Sequence, residues 1–361
     1  MDTATRASGD TPAEGAPADS TQPSAPPTSA PDAAVTLSFG GDVHFEGPLA
    51  SLAKAQPDRM FGGVKAPLLG ADISTINIET AIAVNGSKVA KAFNFKAHPD
   101  VLKSLVDQGI DVLGMANNHS LDFGQSGFAE TLQAVQRFGS PTIGMGSTAT
   151  EAFAPRIVER QGAKIAFVGA SDVIDANLVS TWAATDQRPG IAYAKNRSAI
   201  VAAVRSARTQ ANTVVVFLHW GTEKQTCPND SQRELVKLLS DAGADVIVGS
   251  HAHRVMGAGY YGSTYVAYGL GNFMFKGPAG EGNVSGVLTM SVQGRSVTQP
   301  TWHPAAIGGD FVPRLLTGKA ETDAVSKFNQ LRACANLSEK PTATGTPPAA
   351  ASTSNAVPES T

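Results

Sequence analysis

The sequence has no surplus of positive charge. Lysine and arginine together number 28 and aspartate and glutamate 31, so the formal net charge of the 361 residues is -3. A protein that binds nucleic acid through the phosphate backbone needs an excess of cationic side chains. We therefore expect no nucleic acid among the partners. The hydrophobic fraction of 42% still allows a large core, which excludes a wholly disordered chain.

Long apolar runs are also missing. The longest stretch without a charged residue, 255–275, contains five glycines together with serine, threonine and asparagine. This composition predicts strands and turns and not a transmembrane helix. Met1 is followed by aspartate instead of a basic region and an apolar run, so we expect no signal peptide within this sequence.

Large apolar side chains are absent from the start of the chain. Residues 1–34 contain six prolines but no Val, Leu, Ile, Phe, Tyr or Trp, and residues 339–361 have a similar composition. We expect both segments to be disordered, with one domain over 35–338, because neither can bury enough apolar surface to offset its ordering entropy. Such a tail is typical of a spacer behind a removed secretion signal or lipid anchor, which predicts an extracellular or cell-surface protein with membrane tethering as an option.

Cysteine is scarce. The two cysteines, Cys227 and Cys334, lack the CxxC or zinc-finger spacing of a thiolate metal site. Two interpretations stay open, a disulfide that ties the late part of the fold to its last segment and a pair of unrelated thiols. Export would favour the disulfide, because disulfides persist outside the cytosol.

The domain alternates short apolar runs with helical patterns, which predicts a layered α/β fold. Proline near the start and glycine after the end predict a helix from His98 to Gly109, and Ser231 with Glu234 forms a capping-box pattern at the start of another. The predicted strands are 35–42, 72–79, 110–119, 163–171, 212–221, 244–253, 263–273 and 286–292.

Polar side chains stand at the ends of most of these strands, among them five of the seven histidines. Ligands bind at the carboxyl ends of the strands in open α/β sheets, so we expect these side chains to share one crevice. Carboxylate and imidazole together suit divalent ions such as Zn, Mn or Fe. The residues are Asp42, His44, Glu79, Asn118, His119, Asp122, His219, His251, His253 and Asn272.

The order Asp-x-His, acid, Asn-His, His, His-x-His is similar to that of the calcineurin-like metallophosphoesterases. The segments GGDVHFEG, NIE, ANNHSLDFG, HWGTE, GADVIVGSHAHRV and GLGNF together resemble the CapA family of capsule or poly-γ-glutamate biosynthesis proteins, over about residues 36–276. The resemblance implies a metallophosphoesterase-like, four-layer α/β/β/α sandwich with a centre of two divalent metal ions.

The resemblance also implies a ligand set for these two ions, with Mn, Zn or Fe as candidates. Glu79 stands where the superfamily has a bridging aspartate, and it is longer by one methylene group. The implied ligands are Asp42, His44 and His253 for one ion, and Asn118, His219 and His251 for the other.

Further roles concern the substrate. By the same resemblance, His119 would contact a substrate phosphate or protonate the leaving group, and Asp122 would orient His119. Lys96 and Arg254 are candidates for holding an anionic substrate, because guanidinium and ammonium groups bind phosphate and carboxylate. Asn272 would position the substrate or a ligand-bearing loop.

The resemblance implies an exported metal-dependent hydrolase of phosphoester type, linked to capsule or poly-γ-glutamate biosynthesis. Its partner would be an anionic small molecule or polymer, that is, a phosphoester or polyglutamate. Two alternatives stay open: a non-hydrolytic polyanion-binding component of polymer synthesis or export, and a metal-dependent amidase that cleaves γ-glutamyl bonds. The residues do not separate phosphorus from a carbonyl carbon as the site of attack.

Overall fold

The computed structural model describes residues 33–276 and 280–342. Residues 1–32 and 343–361, which make up most of the two segments predicted to be disordered, lie outside the described residues. That part of the domain prediction therefore stays a prediction.

Strands and helices alternate along the described chain, as the sequence predicts. The strands are β1 (Val35–Val43), β2 (Ile73–Ile78), β3 (Ala81–Ile82), β4 (Lys96–Ala97), β5 (Val112–Gly114), β6 (Thr142–Ile143), β7 (Met145–Gly146), β8 (Arg156–Arg160), β9 (Ala163–Ser171), β10 (Gly190–Ile191), β11 (Thr213–Trp220), β12 (Val246–His251), β13 (Ala258–Tyr261), β14 (Thr264–Ala267), β15 (Asn272–Met274), β16 (Val284–Gln293), β17 (Ser296–Ile307) and β18 (Pro313–Leu315). The α-helices are α1 (Pro48–Ala55), α2 (Lys65–Leu69), α3 (Asp100–Asp107), α4 (Gly124–Phe138), α5 (Ala149–Phe153), α6 (Val179–Trp182), α7 (Arg197–Arg208), α8 (Asp230–Ala242) and α9 (Gly318–Ala335).

Two mixed sheets contain most of the strands. The first sheet has the order β18-β17-β16-β1-β2-β5-β6, with β15 also paired to β1. Within it β15, β1, β2, β5 and β6 run parallel, and β16 to β18 are antiparallel additions. The second sheet has the order β13-β14-β12-β11-β9-β8, in which only the edge strands β13 and β8 are antiparallel to their neighbours. The parallel strands of each sheet therefore end at the same edge.

Strand β11 shows why the predicted strands read as continuous apolar runs. Val215 and Phe217 belong to the core between the two sheets, whereas Val214 and Val216 pack with the residues of α7 and α8 on the other side. All residues of this strand are buried. A strand that is covered on both faces has no need for alternating polar residues.

Helices cover the outer face of each sheet. The helices α1, α3 and α4 pack on the first sheet through Leu49, Leu102 and Phe128, and α7 and α8 pack on the second through Val204 and Leu235. The layers follow the order helix, sheet, sheet, helix. The predicted four-layer α/β/β/α sandwich is confirmed.

The N-cap of helix α8 lies two residues before the predicted one. Its N-cap is Asn229, whose side chain accepts a hydrogen bond from the backbone of Gln232, while the Gln232 side chain accepts one from the Asn229 backbone. The prediction of Ser231 and Glu234 as the box was therefore wrong. Asparagine caps as well as serine does, and the Ser231 hydroxyl instead donates to Asp172.

The predicted strand at 263–273 is divided between the two sheets. Its first part is β14 of the second sheet and its last part is β15 of the first. Gly271, with φ +70°, adopts the left-handed conformation that lets the chain change direction between them. This crossing brings Asn272 next to Asp42 in register on β1.

Cys227 and Cys334 form a disulfide with a Cα–Cα distance of 5.6 Å. It joins the last turn of α9 to the loop before α8, so the first of the two interpretations of the cysteines is confirmed. None of the helices in the described ranges is both long enough and apolar enough to cross a membrane.

Candidate metal centre

Parallel strands of the two sheets bring the predicted polar residues together. Asp42 on β1 is in register with Asn77 on β2 and with Asn272 on β15, and His219 on β11 is in register with Ser250 on β12. Asp42, Asn77 and Asn272 belong to the first sheet, and His219 and Ser250 belong to the second. The strand ends of the two sheets meet at one site.

Two groups of side chains have the geometry of a metal site. Asp42, Glu79 and His253 each offer one ligand atom within 4.8 Å of the other two, and so do Glu79, His219 and His251. Glu79 is common to both groups. The geometry thus places the predicted bridging residue between the two predicted sets.

Glu79 is fully buried, and neither of its carboxylate oxygens has a hydrogen-bond partner among the described residues. Imidazole nitrogens of His219, His253 and His119 lie 3.5, 3.8 and 3.9 Å from Glu79 Oε1, too far for good hydrogen bonds. Burial, and then the nearby Asp42 carboxylate, raise the pKa of Glu79 well above its usual value.

A divalent ion would pair with the buried Glu79 carboxylate. An unpaired buried carboxylate is costly, and proteins that keep one commonly pair it with a cation. The donor set of carboxylate and imidazole fits Zn, Mn or Fe. On these grounds the residues of both groups fit bound metal ions.

The histidines of the two groups have different electrostatic environments. Burial lowers the pKa of His251 to about 3 and that of His219 well below its usual value, which leaves neutral imidazoles suited to metal binding. Burial acts in the same direction on His253, but the Glu79 and Asp42 carboxylates outweigh it and raise the pKa of His253 to about 10. The proton and a cation compete for this position.

The backbone of the His-x-His segment is strained. His251 and His253 have φ angles of 88° and 51°, in the region that glycine favours. Such a conformation costs about 1–3 kcal/mol for each residue and persists where the surrounding structure enforces it. Here it turns both imidazoles toward Glu79.

Four polar contacts position the ligand side chains. The Asn77 amide donates to Asp42 Oδ1 at 2.8 Å, and the backbone N–H of His251 donates to Asp42 Oδ2 at 3.1 Å. Ser250 Oγ lies 3.0 Å from His219 Nδ1. Asn272 Oδ1 lies 2.8 Å from His253 Nδ1.

Sequence reasoning missed Asn77 and Ser250. A signal was present in each case, because Asn77 begins the Asn-x-Glu segment and Ser250 precedes His251 directly. Asn272 was expected to position the substrate or a ligand-bearing loop, and the structure brings it to His253.

Asn118 lies with the second group. Its Oδ1 is 2.7 Å from His219 Nε2, and His219 Nε2 is 3.1 Å from His251 Nδ1. The structure thus brings together the three side chains that the resemblance assigns to one ion.

His44 lies in an aromatic environment beside the first group. Its ring contacts the rings of Phe95 and Phe275, with centroid distances of 5.0 and 4.3 Å. The backbone N–H of Lys276 donates to His44 Nε2 at 2.7 Å. Burial lowers the pKa of His44 to about 4, helped by the positive charge of other histidines. His44 is not a member of either group, and its role as a ligand stays a prediction.

His119 is held by a buried carboxylate. Its Nδ1 lies 2.6 Å from Asp122 Oδ2, an oxygen that also accepts the backbone N–H of Phe95 at 2.6 Å. Lys91 Nζ lies 3.0 Å from Asp122 Oδ1 and donates to the carbonyl of Asn118. This arrangement leaves His119 Nε2 on the side of Glu79. Sequence reasoning missed Lys91, which belongs to no motif.

The two predicted anion-binding cations lie in different places. Lys96 Nζ donates to the carbonyl of Val84 at 2.9 Å and lies 4.3 Å from the centre of the Phe123 ring. Arg254 Nη1 donates to the carbonyl of His253 at 2.9 Å, which keeps the guanidinium beside the first group. Their substrate-binding roles stay predictions.

The chain is a double-sheet sandwich with carboxylates and imidazoles gathered at its strand ends, a donor set that fits divalent metal ions. The model of the family described as "Bacterial capsule synthesis protein PGA_cap" matches residues 36–277, and the chain belongs to this family.

Two related proteins are similar in sequence to a large part of this chain. The chain is 30% identical over 248 residues to the PGA biosynthesis protein CapA of Bacillus subtilis (strain 168), a match that covers 68% of this chain and 64% of that protein. It is 29% identical over 226 residues to the capsule biosynthesis protein CapA of Bacillus anthracis, covering 60% of this chain and 54% of that one. The chain thus spans less than two thirds of the length of either relative.

Solved structures resemble the chain more distantly. A hypothetical protein from Thermus thermophilus has a TM-score of 0.46 and 15% identity, and the match covers 74% of this chain and 98% of that one. A phosphatase from Mycoplasma pneumoniae has a TM-score of 0.46 and 12% identity, with 76% and 94% covered.

Proposed function

We propose that this chain is a metal-dependent hydrolase of phosphoester type that acts outside the cell in capsule or poly-γ-glutamate synthesis. The observation that carries the proposal is Glu79, a fully buried carboxylate shared by two ligand groups and lacking a hydrogen-bond partner among the described residues. Two divalent ions, one for each group, would neutralise it. Export is supported by the disulfide, which persists in an oxidising compartment.

Divalent ions bound at such a site supply Lewis-acid chemistry, which polarises a phosphoryl oxygen and makes a nucleophile available at neutral pH. Asp42, Glu79 and His253 would hold one ion, and Glu79, His219 and His251, joined by Asn118, would hold the other. Asp42, Glu79, His219 and His251 are buried, so they would keep bulk water away from bound ions and strengthen the effect of those ions on an anion.

His119 is the residue that moves a proton in this proposal. Its Nδ1–H donates to Asp122, which fixes the ring and leaves Nε2 directed to the substrate side. Water adds to phosphorus and releases a proton to solvent, the P–O bond to the alcohol breaks, and His119 Nε2 delivers a proton to the departing oxygen. A proton from solvent then restores the His119 ring. The Asp122 carboxylate stabilises the positive charge that the ring carries before this transfer.

Hydrolysis of bis(4-nitrophenyl) phosphate and of 4-nitrophenyl phosphate, with Mn, Zn or Fe added, tests the proposal. The protein should release 4-nitrophenol, and Asp42→Ala and His219→Ala should each abolish the release. His98→Ala, at an exposed histidine that belongs to neither ligand group, is the matched control and should keep full activity. A protein that carries two ions per chain but releases no 4-nitrophenol would contradict the proposal.

A second candidate is cleavage of γ-glutamyl amide bonds, which is favoured by the similarity of the chain to a Bacillus subtilis relative named as a PGA biosynthesis protein. Two-metal sites also serve peptidases. Incubation with poly-γ-glutamate separates the candidates, since an amidase shortens the polymer and leaves both aryl phosphates intact. A component that only binds polyanions would retain the polymer at low salt and cleave none of the three compounds.

A further inference from the structure

Lys91 is a buried lysine beside the candidate metal centre. Its side chain is only 8% exposed, although proteins rarely bury a lysine without a partner. Burial of an ammonium group costs free energy unless charged and polar groups pair with it. The groups that Lys91 contacts therefore indicate what this residue does.

Two contacts of Lys91 are with the segment that carries the proposed proton donor. Lys91 Nζ lies 3.0 Å from Oδ1 of the fully buried Asp122 carboxylate, and it donates to the backbone carbonyl of Asn118. Asn118 precedes His119 directly, and Asp122 follows His119 by three residues. One ammonium group thus holds both ends of a short segment that contains His119.

The loop between β3 and β4, which contains Lys91, reaches the same segment through other groups. The backbone N–H of Val89 donates to the carbonyl of Asp122 at 3.0 Å, and the N–H of Phe95 donates to Asp122 Oδ2 at 2.6 Å. The Phe95 ring stacks on the His119 ring with a centroid distance of 4.2 Å. Of the loop's hydrogen bonds to Asp122, the one from Lys91 joins an ammonium group to a carboxylate, and such bonds are about twice as strong as neutral ones.

The surroundings of Lys91 argue against direct contact with a substrate. Two of its three N–H groups are used by Asp122 and Asn118. The ammonium group also lies 5.2 Å from the centre of the ring of Trp182, a buried residue. A cation that is engaged in this way acts on a reaction through the protein groups that it holds.

The contact with Lys91 restrains the carboxylate that orients His119. Asp122 Oδ2 lies 2.6 Å from His119 Nδ1, while Lys91 holds Oδ1 of the same carboxylate. Because both oxygens are held, the carboxylate is restrained from rotating away from the imidazole. His119 Nε2, on the opposite side of the ring, then keeps its place 3.9 Å from Glu79 Oε1. Misplacement of a reacting group by about 1 Å can lower a rate about 100-fold.

We propose that Lys91 is a positioning residue for proton delivery by His119. It fixes the Asp122 carboxylate and the Asn118 carbonyl, so that the imidazole between them keeps one orientation relative to the candidate metal centre. Delivery of the proton rests on the proposed function, whereas the fixed geometry of the Asp122–His119 pair does not. Replacement of a lysine that only closed the loop would leave this geometry unchanged.

Proton magnetic resonance tests the geometry without catalysis. In spectra recorded with Zn, a diamagnetic ion, the Nδ1–H proton of His119 should resonate downfield of the backbone amides, because a carboxylate accepts it at 2.6 Å. Asp122→Asn should remove this resonance, which assigns it. Lys91→Met should shift the resonance upfield or broaden it beyond detection, and Lys88→Met, at an exposed lysine of the same loop, should leave it in place. An unchanged resonance in Lys91→Met, or none in the wild type, would overturn the proposal.

The leaving group separates positioning from a general loss of structure. Phenol is a weaker acid than 4-nitrophenol, so its release from phenyl phosphate depends more on the proton that His119 delivers. Lys91→Met should therefore lower kcat for phenyl phosphate at least tenfold more than kcat for 4-nitrophenyl phosphate. KM should change little for either substrate, because Lys91 does not contact them, and Lys88→Met should keep both rates. Equal losses of kcat for the two substrates would overturn the proposal.

A control for folding accompanies both measurements. Thermal melts establish that Lys91→Met and Lys88→Met fold. Lys91→Gln, which retains an N–H donor but not the charge, replaces Lys91→Met if that variant does not fold. The same change in the resonance and the same difference between the two substrates are expected of it.

The outcomes also separate this inference from the proposed function. A resonance that depends on Lys91, in a protein that hydrolyses no phosphoester, would support the positioning of His119 and contradict the hydrolase. Release of 4-nitrophenol from 4-nitrophenyl phosphate, with the same resonance in the wild type and in Lys91→Met, would support the hydrolase and overturn the positioning role.

Discussion

The side-chain amide of Asn77 donates a hydrogen bond to the Asp42 carboxylate at 2.8 Å, and the two residues are register partners on adjacent parallel strands. The same amide nitrogen lies 3.2 Å from His219 Nδ1 on the other sheet. Asn77 thus links a predicted ligand of one ion to a predicted ligand of the other. The position of the candidate centre depends on this contact between the two sheets.

Replacing Asn77 should weaken metal binding. Asn77→Ala removes the contact that orients Asp42, and loss of such a partner behind a ligand typically costs 10-fold to 100-fold in metal affinity. Titration of the chelated protein with Mn or Zn measures the affinity. Asn329→Ala, at an exposed asparagine of α9, is the control and should bind as the wild type does. Equal affinities for both variants would show that Asn77 does not support the site.

Metal should stabilise the wild-type protein but not a variant that lacks the shared carboxylate. A ligand at 100 times its Kd raises the free energy of unfolding by about 2.7 kcal/mol, because it binds the folded state. Calorimetric melts with EDTA and then with Zn or Mn should show this rise in the wild type and in Glu234→Gln, an exposed control. In Glu79→Gln the two melts should coincide, and a full rise there would exclude Glu79 as a ligand.

Gly249 should not tolerate a side chain. A Cβ atom there would lie 2.1 Å from Trp220 Nε1 and 2.2 Å from the Tyr268 carbonyl oxygen, two groups that are hydrogen-bonded to each other at 2.8 Å. Gly249→Ala should lower the free energy of unfolding by about 1–3 kcal/mol through overpacking. It should also disturb metal binding, because His251 is two residues away.

Denaturant unfolding measures this effect against a glycine in open space. A Cβ atom at Gly62 would meet no atom within 4 Å, and its backbone has no positive φ. Gly62→Ala should therefore change the free energy of unfolding little, and if anything raise it through the lower entropy of the unfolded chain. Equal losses in the two variants would count against the packing argument.

Removal of the disulfide should destabilise the fold. The bond closes a loop between residues separated by 107 positions, and in the chain-entropy model a loop of that length contributes about 5 kcal/mol. The free energy of unfolding of the double variant Cys227→Ser with Cys334→Ser should be lower by that amount, so the double variant should unfold at a lower denaturant concentration. Dithiothreitol should lower the stability of the wild type and leave the double variant unchanged, and no difference between the two proteins would refute the prediction.

The layers of the fold and the positions of the polar residues on it were predictable from the sequence. Apolar runs such as 212–221 are buried on both faces of a strand, and this burial leaves a local pattern of residue types. Asp42, His219 and His251 each stand at the end of a strand, where the pattern changes from apolar to polar. These signals involve residues that are neighbours in the chain, so they can be recognised from the sequence alone.

The division of 263–273 into two strands was not predictable in this way. The run has no charged residue, and periodicity cannot show that Thr264 and Asn272 belong to different sheets. The prediction of where α8 starts was wrong for a different reason. Asn229 and Ser231 are both good N-cap residues, and the contact of Ser231 with Asp172 decides between them.

Local patterns in the sequence predicted a layered α/β fold with carboxylates and imidazoles at its strand ends, because burial and strand ends affect residues that are close together in the chain. The family resemblance implied a bridging role for Glu79, but its distances to the two ligand groups, the aromatic rings around His44 and the contact of Lys91 with Asp122 came from the packing of the fold. Each of these relationships joins residues that are distant in the chain. Their distances follow from how strands and loops pack in three dimensions, which no local pattern records.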